Sequence, residues 1–205
     1  GGKHPVAMTG LVGIALLMSD AGVEPKKHTE HIGKAVDWLL KQCQTQRDGL
    51  IFSNHPSETT RYMEGHGLAT QFLAATYARR SDGEPPKDRH DILVRAVNDI
   101  AKAQSAQGGW YHTSKVEGDD FDAVSSTVIQ LQALHAADNA GVPSSLEATL
   151  HGQAYLRAVV QRLEGKAKKG DTGRLFDLTA AYAGSRFSFN EDRDDHGRKR
   201  FTRLQ

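Results

Sequence analysis

The sequence has little of several features that mark common functional classes. It holds one cysteine, Cys43, among 205 residues, which excludes an internal disulfide and a cysteine-rich zinc site. Aromatic residues make up only 7% of the chain, and the formal net charge is +1. Because this charge balance creates no field that attracts polyanions, we expect no nucleic-acid partner and no binding to an anionic membrane surface.

Long hydrophobic runs are also lacking. The most apolar stretch, residues 6–18, is shorter than the roughly 18–20 residues that a membrane span needs. No charged segment precedes it, so it does not resemble a signal peptide, and we expect no transmembrane segment. The chain opens on Gly1-Gly2-Lys3-His4-Pro5 without a Met, which is typical of a fragment or a processed start. The sequence therefore does not predict the cellular compartment, because removal of a leader peptide would leave the same kind of start.

Two kinds of helix alternate along the chain. Mostly apolar segments, which are typical of helices buried between two layers, are residues 6–18, 67–77 and 122–137. Segments with a single apolar face at helical spacing are residues 29–44, 89–104 and 145–163. Residues 175–183 begin like a fourth buried helix. Residues 189–205 are so polar that we expect a disordered tail, or a segment that needs a partner to fold.

The helix pairs follow an internal repeat with a period near 60 residues. Five residues of the first apolar helix match residues 118 positions later: Thr9, Leu11, Ala15, Leu16 and Asp20 match Thr127, Ile129, Ala133, Leu134 and Asp138. The segments with a single apolar face match similarly, with Lys34, Arg95 and His151 heading the three copies. A two-helix unit of this length predicts an all-α fold. We expect one domain over residues 4–188, with repeats of roughly 4–60, 61–117 and 118–188.

The turn after the second one-sided helix carries the most specific motif. Gln104, Gly108 and Trp110 have the spacing Gln-x3-Gly-x-Trp, which resembles the QW repeat of the squalene cyclase and protein prenyltransferase superfamily. Arg95, Ala96 and Ile100 also fit the longer form of that repeat, whereas Asp99 stands where an aromatic residue is expected. The resemblance implies an α/α toroid, in which an inner ring of helices is surrounded by an outer ring.

A narrower resemblance is to the bacterial prenyltransferase/squalene-oxidase-repeat proteins. It rests on the segments 65–69, 107–111 and 126–142. Three hairpins are about half of a full toroid, so the resemblance implies an open arc with an exposed apolar inner face. We expect a second copy of the chain, or a further chain segment, to close the arc. The concave mouth would then bind an apolar or saccharide ligand.

Acidic residues precede the third apolar helix in the series Asp119-Asp120-Phe121-Asp122. The series resembles the Asp-x-Asp-Asp motif of class II terpene cyclases, in which an Asp protonates an alkene or an epoxide. The resemblance implies Asp122 as the acid and Asp120 as its neighbouring carboxylate, although Ala123 replaces the last Asp. The alternative is structural: Asp122 caps the helix, and the other acids favour its positive end.

A second polar group, Tyr62-Met63-Glu64-Gly65-His66, precedes the second apolar helix. Because inner helices of a toroid start at one mouth, we expect Glu64 and His66 to meet Asp120 and Asp122 there. The substrate-binding candidates are Tyr62, Glu64, His66, Asp119 and Phe72. The alternative is that the group only caps and fills a crowded turn. A lone His is a weak metal signal, and Cys43 lies in no Asp-x-Cys pair, so no metal or cofactor is predicted.

Three hypotheses for function remain. In the first, the chain is a binding or structural repeat module whose catalytic motif is degenerate. In the second, it is an isoprenoid cyclase or prenyltransferase that uses Asp122 as its acid. In the third, it is a polysaccharide lyase or hydrolase, because paired carboxyl groups can also cleave sugars.

Overall fold

The computed structural model describes residues 3–21, 27–44, 49–79, 87–164, 191–193 and 199–201. Its helices are α1 (Pro5–Ser19), α2 (Thr29–Gln44), α3 (Tyr62–Ala78), α4 (Lys87–Ala103), α5 (Val124–Asn139) and α6 (Leu146–Glu164). A single 3-10 turn covers Lys115–Glu117. The all-α prediction is confirmed for the described residues between 3 and 164.

Two three-residue strands lie near the C-terminus. Strands β1 (Glu191–Arg193) and β2 (Lys199–Phe201) pair antiparallel, with Asp192 opposite Arg200. They are the described part of the segment for which the sequence predicts a disordered tail. The predicted fourth buried helix, residues 175–183, lies outside the described residues.

Most helix bounds agree with the periodicity of the sequence, and α3 shows the largest difference. It begins at Tyr62 rather than at residue 67. The glycines of its first turns suggest a helix break, but they serve close packing. A Cβ on Gly67 would lie 2.6 Å from Ile129 Cγ2 of α5, so only a residue without a side chain fits there.

Helices α1, α3 and α5 lie side by side in one row and start at the same end. Glu58, four residues before α3, accepts hydrogen bonds from the backbone N–H groups of Val6 (2.8 Å) and Ala7 (3.3 Å) in the first turn of α1. At the other end, Arg79 Nη1 donates to the Leu17 carbonyl at 2.6 Å. Contacts at both ends make α1 and α3 parallel. Helices α2, α4 and α6 each pack on the helix that precedes them.

The row depends on glycines where helices touch. A Cβ on Gly10 would lie 2.7 Å from the Leu68 backbone, and one on Gly13 would lie 2.6 Å from the Phe72 ring. These distances are shorter than van der Waals contact, so α1 and α3 approach more closely than larger residues permit. The aromatic ring of Phe72 fills the space above Gly13 and is fully buried.

The turn after α4 is tied both to its own helix and to α6. Gln104 Nε2 donates to the carbonyls of Gly108 and Ala148, each at 2.8 Å. Gly108 has a φ of 90°, a conformation that favours glycine. Trp110 is fully buried, and its indole N–H donates to the Ile100 carbonyl at 2.7 Å. Backbone geometry and side-chain bonds together hold this turn against α6.

Helix α1 is only partly covered, although its composition predicts burial on every side. Met8, Leu11, Val12 and Met18 are about half exposed or more. They lie at helical spacing on the side away from α3, because α1 is at the edge of the row and has no neighbour there in the described part of the chain. None of the helices in the described ranges has the length and apolar content needed to cross a bilayer.

Candidate functional site

The starts of α3 and α5 meet in a small polar group that we call the mouth cluster: Arg61, Glu64, His112 and Ser126. Glu64 Oε1 is its centre. It accepts hydrogen bonds from His112 Nδ1 at 2.6 Å, from Ser126 Oγ at 3.0 Å and from Arg61 Nη2 at 3.3 Å. Backbone contacts position His112, because its carbonyl accepts a hydrogen bond from the Met63 N–H at 3.0 Å. The cluster thus connects the loop before α5 to both helices.

The mouth cluster contains a Ser, a His and a carboxylate, but not in the arrangement of a catalytic triad. In a triad the acid bonds to one imidazole nitrogen and the Ser to the other. Here Ser126 Oγ lies 3.3 Å from His112 Nδ1, the same nitrogen that bonds to Glu64. The Ser hydroxyl also donates to Glu64, so His112 is not placed to accept its proton. The geometry does not support nucleophilic catalysis by Ser126.

Tyr62 and His66, two of the predicted substrate-binding residues, belong to the interior. The Tyr62 hydroxyl accepts a hydrogen bond from the Ser114 N–H at 2.8 Å, and burial raises the pKa of this phenol. His66 is fully buried. Its Nδ1 accepts from the Ile51 N–H at 3.1 Å, and its Nε2 lies 3.2 Å from the Ala96 carbonyl, to which it donates. Both nitrogens of His66 are therefore occupied by the backbone, and neither is open to a ligand.

Burial also decides the charge of His66. It lowers the pKa of the imidazole to about 4, and the hydrogen bond to the Ala96 carbonyl opposes this only partly. Asp99 Oδ2 lies 3.7 Å from Nε2, yet desolvation dominates, because a charged imidazole loses its hydration here. His66 is thus a neutral residue that joins α3 to α4 and to the segment at Ile51. Phe72 is likewise a core residue, and its predicted role in substrate binding does not fit its full burial.

The three aspartates before α5 each brace the loop of residues 104–123, which we call the QW loop after Gln104 and Trp110 alone. Asp119 Oδ2 accepts from the Thr113 hydroxyl at 2.6 Å, and Asp120 Oδ1 accepts from the Ala106 N–H at 2.8 Å. Asp122 Oδ1 accepts from the Ser105 hydroxyl. The bonds of Asp120 and Asp122 connect the end of the loop to its beginning, and the bond of Asp119 braces its second half.

The capping role considered for Asp122 is wrong. The N-cap residue of α5 is Ala123, and no side chain caps this helix. Asp122 instead turns back towards Gly109, where a Cβ would lie 2.5 Å from its Oδ1. Gly109 is therefore required for the position of the carboxylate. The second glycine of the turn has a packing function, whereas the first, Gly108, has a conformational one.

Asp120 and Asp122 also line an open cleft between the QW loop and α6. The cleft has a volume of about 500 Å³ and is lined by Gln107, Asp120, Phe121, Asp122, Ala154, Tyr155, Ala158 and Arg162. This volume lies within the range of about 300–1,000 Å³ that is typical of ligand pockets. The pKa of the Tyr155 phenol is raised, first by burial and then by the Asp122 carboxylate, while Arg162 opposes the shift. Tyr155 therefore stays a neutral hydroxyl at physiological pH.

The described contacts do not bring Glu64 or His66 to Asp120 and Asp122. Glu64 joins Ser126 and His112 at the mouth, and the two aspartates share the cleft next to α6. These two groups have no hydrogen-bond partner in common. His66 belongs to neither, because its partners are buried backbone groups.

Sequence reasoning missed His112, Ser126 and Arg162 as members of these groups. The signal for His112 and Arg162 is positional: His112 lies two residues after Trp110, and Arg162 lies seven residues, or about two helical turns, beyond Tyr155 on α6. Neither signal is specific without the contacts across helices.

No set of three or more His, Cys, Asp or Glu side chains converges as a metal site would within the residues that the structure describes. Cys43 is buried, with its thiol 3.8 Å from the Gly49 carbonyl, and burial raises the pKa of this thiol. A thiol that stays protonated is a poor nucleophile and a poor metal ligand. Comparison with protein-family models, curated proteins and solved structures found no match to this chain.

Proposed function

We propose that the chain is a non-catalytic repeat module of the squalene-cyclase/prenyltransferase type that binds a ligand in the cleft beside Asp120 and Asp122. The main observation that supports the proposed repeat is the packing of two glycines in turns, Gly49 and Gly108. A Cβ on Gly49 would strike the Arg95 carbonyl, and one on Gly108 would strike the His151 carbonyl. Arg95 and His151 are residues that the internal repeat places in register, so the same contact recurs one unit later.

Two further pairs of matched residues support the same repeat. Asp20 accepts a hydrogen bond from the His28 N–H at 2.9 Å, and Asp138 accepts one from the Ser144 N–H at 2.7 Å. Each carboxylate therefore fastens the link from an inner helix to the following outer helix. Thr70 lies 57 positions before Thr127, close to one repeat period. The two hydroxyl groups likewise donate to the carbonyls of His66 and Ala123, each four residues earlier.

The surroundings of Asp122 favour binding over isoprenoid cyclisation. A carboxyl group that protonates an alkene needs an enclosed, apolar setting that keeps it protonated. Asp122 instead accepts a hydrogen bond from Ser105 and faces an open cleft with Arg162 and Gln107. An apolar pocket between α2, α3 and α4 has a volume of only about 10 Å³, about the size of one water molecule and far too small for an isoprenoid.

Incubation with squalene and with farnesyl diphosphate, followed by product analysis, tests this proposal. We expect no cyclised or transferred product from the wild-type chain. A product that the Asp122→Asn variant fails to make would contradict the proposal and identify an isoprenoid enzyme.

A second candidate function is cleavage of a polysaccharide. The observation in its favour is that two carboxyl groups, a phenol and a guanidinium share one cleft. The raised pKa of Tyr155 argues against its use as a base, since little phenolate forms near neutral pH. Release of reducing ends or unsaturated products from a panel of polysaccharides, lost in Asp120→Asn, would establish this function.

The exposed side of α1 supports closure of the arc by a second copy of the chain. Met8, Leu11 and Met18 lie on this side, and no residue from Pro5 to Ser19 is charged. Two such surfaces pair without burying a charge, which would be costly. Light scattering should then give twice the chain mass of 22.4 kDa, and Leu11→Glu should restore the single mass. A wild-type chain that is monomeric at high concentration would contradict closure by a second copy.

A further inference from the structure

The cleft beside Asp120 and Asp122 has a lining that selects among classes of ligand. We infer that it binds a neutral saccharide, with one sugar ring stacked on Phe121 and its hydroxyl groups bonded to Asp120, Asp122 and Arg162. This inference rests on the proposed function, because it names the ligand class of the same cleft. Three features of the cleft carry it: its charge balance, its oriented polar atoms and its exposed aromatic ring.

The cleft lining and the neighbouring Lys115 carry charges of both signs. Asp120 and Asp122 contribute two carboxylates, and Arg162 contributes a guanidinium. The ammonium group of Lys115, 3.9 Å from Asp120 Oδ1, provides the second positive charge. A balanced set gives no net attraction for a diphosphate or a polyuronate. It does provide strong hydrogen-bonding groups of both kinds, which suit a neutral ligand that both donates and accepts.

Each carboxylate is held through one oxygen and presents the other. Asp120 and Asp122 use Oδ1 for the QW loop, through the Ala106 N–H and the Ser105 hydroxyl. Their Oδ2 atoms bond to no protein atom in the described ranges, and Asp120 is exposed while Asp122 is partly exposed. Both acceptors therefore face solvent in fixed directions. Such preorganised acceptors suit adjacent hydroxyl groups on one ring, because little ordering is needed on binding.

Phe121 forms an exposed aromatic surface on the cleft. Its side chain is 61% exposed, which is unusual for a large apolar residue between two aspartates. The ring is supported from below by Tyr111, whose centroid lies 5.5 Å away, so the exposed face is held in position. The apolar C–H face of a sugar ring packs on such a surface while its hydroxyl groups point to the polar rim. Isoprenoid chains, in contrast, would leave the carboxylates and Arg162 unpaired.

Titration calorimetry and ¹H–¹⁵N NMR on the full chain test this inference. The probes are the neutral tetrasaccharides of cellulose, mannan and chitin, together with tetragalacturonate and farnesyl diphosphate. We expect at least one neutral tetrasaccharide to bind and to shift the amide signals of Phe121, Asp122 and Tyr155. We also expect it to bind at least about tenfold more tightly than tetragalacturonate.

Three substitutions sharpen the test. Phe121→Ala should weaken saccharide binding by about tenfold, and Asp120→Asn should weaken it severalfold. Val116→Ala is the matched control, because Val116 is similarly exposed and lies in the same loop but not in the cleft; it should change the affinity by less than about twofold. Retained folding of each variant is checked by its NMR spectrum.

The outcomes separate the ligand class from the proposed function. If tetragalacturonate or farnesyl diphosphate shifts the cleft signals and no neutral saccharide does, the ligand class is wrong but a binding cleft remains. If a saccharide binds with equal affinity to wild type and Phe121→Ala, the stacking on Phe121 is overturned. If no probe binds at millimolar concentration, the inference fails, and the product assays decide the proposed function separately.

Discussion

The contact between α1 and α3 and the QW loop are held together by different means. Between the helices, Gly10 and Gly13 leave room only for the Leu68 backbone and the Phe72 ring. In the loop, Asp119, Asp120 and Asp122 hold the chain by hydrogen bonds, and large parts of the surface stay open to solvent. The helix contact tolerates no added volume, whereas the loop tolerates changes of side chain that leave its bonds intact. We therefore expect substitutions in the loop to affect ligand binding and substitutions in the helix row to affect the free energy of unfolding.

The largest expected effect comes from removing the buried Glu58 carboxylate, which links the segment before α3 to the first turn of α1. Glu58 is almost fully buried and accepts hydrogen bonds from Val6 N–H, Ala7 N–H and the Ser53 hydroxyl. Glu58→Ala leaves buried donors unpaired at a helix start, so we expect the free energy of unfolding to fall by about 4 kcal/mol. Urea denaturation measures this. Glu30→Ala is the control, because Glu30 is exposed and bonds only to Lys34 among its described contacts; a loss below about 0.5 kcal/mol is expected.

The second effect is a pH dependence from His66. Its pKa of about 4 in the folded chain is below the ordinary value of 6.5, so the unfolded chain binds a proton first as the pH falls. The contribution of neutral His66 to the free energy of unfolding is fully present above about pH 6.5. It decreases by about 1.4 kcal/mol per pH unit as the pH falls, or about 3 kcal/mol in total down to pH 4.

Unfolding curves at pH 7, 6 and 5 for the wild type and His66→Gln isolate this term, because the other histidines are common to both chains. The wild type should lose more stability on acidification than the variant. NMR titration of His66 in the wild type gives an independent check. An imidazole that titrates near pH 6.5 would show that burial does not control its charge.

A pair of identical substitutions compares crowded and open helix positions. Gly10→Ala adds a methyl group 2.7 Å from the Leu68 backbone, whereas Gly33→Ala in α2 meets no atom within 4 Å. We expect a net loss of about 1–2 kcal/mol for the first, because overpacking exceeds the gain in helix propensity. The second should gain about 0.5–1 kcal/mol. Melting temperatures that shift in opposite directions for the two variants would support the comparison, whereas equal shifts would contradict it.

The smallest expected effect is at the cleft. Phe121 is mostly exposed, so Phe121→Ala should change the free energy of unfolding by less than about 0.5 kcal/mol. The same variant is expected to lose ligand affinity, which separates binding from stability at one residue. A loss of several kcal/mol would place Phe121 in the core and would contradict its exposed position.

Local patterns predict the helices well and the site poorly. The bounds of α2 follow from apolar spacing alone. Gly108 has the positive φ expected of a turn glycine, but α4 already ends at Ala103, so Gly108 shapes the turn rather than the helix end. The start of α3 is predicted wrongly because a glycine can end a helix or allow close packing, and the choice depends on a neighbour such as Ile129. The pairing of Glu64 with His112 likewise depends on a distant neighbour and cannot be predicted from either segment alone.

The amino-acid sequence by itself determined where the helices lie, which of them are apolar on all sides, and that a Gln, two glycines and a Trp form the turn after α4. These are short-range properties, since propensity and periodicity act within a few turns. Only the tertiary structure decided that His66 is a neutral interior residue, that Asp122 bonds to Ser105 instead of capping α5, and that Arg162 faces the aspartates. Each of these depends on segments far apart in the chain, because burial and hydrogen-bond partners are set by how the helices pack.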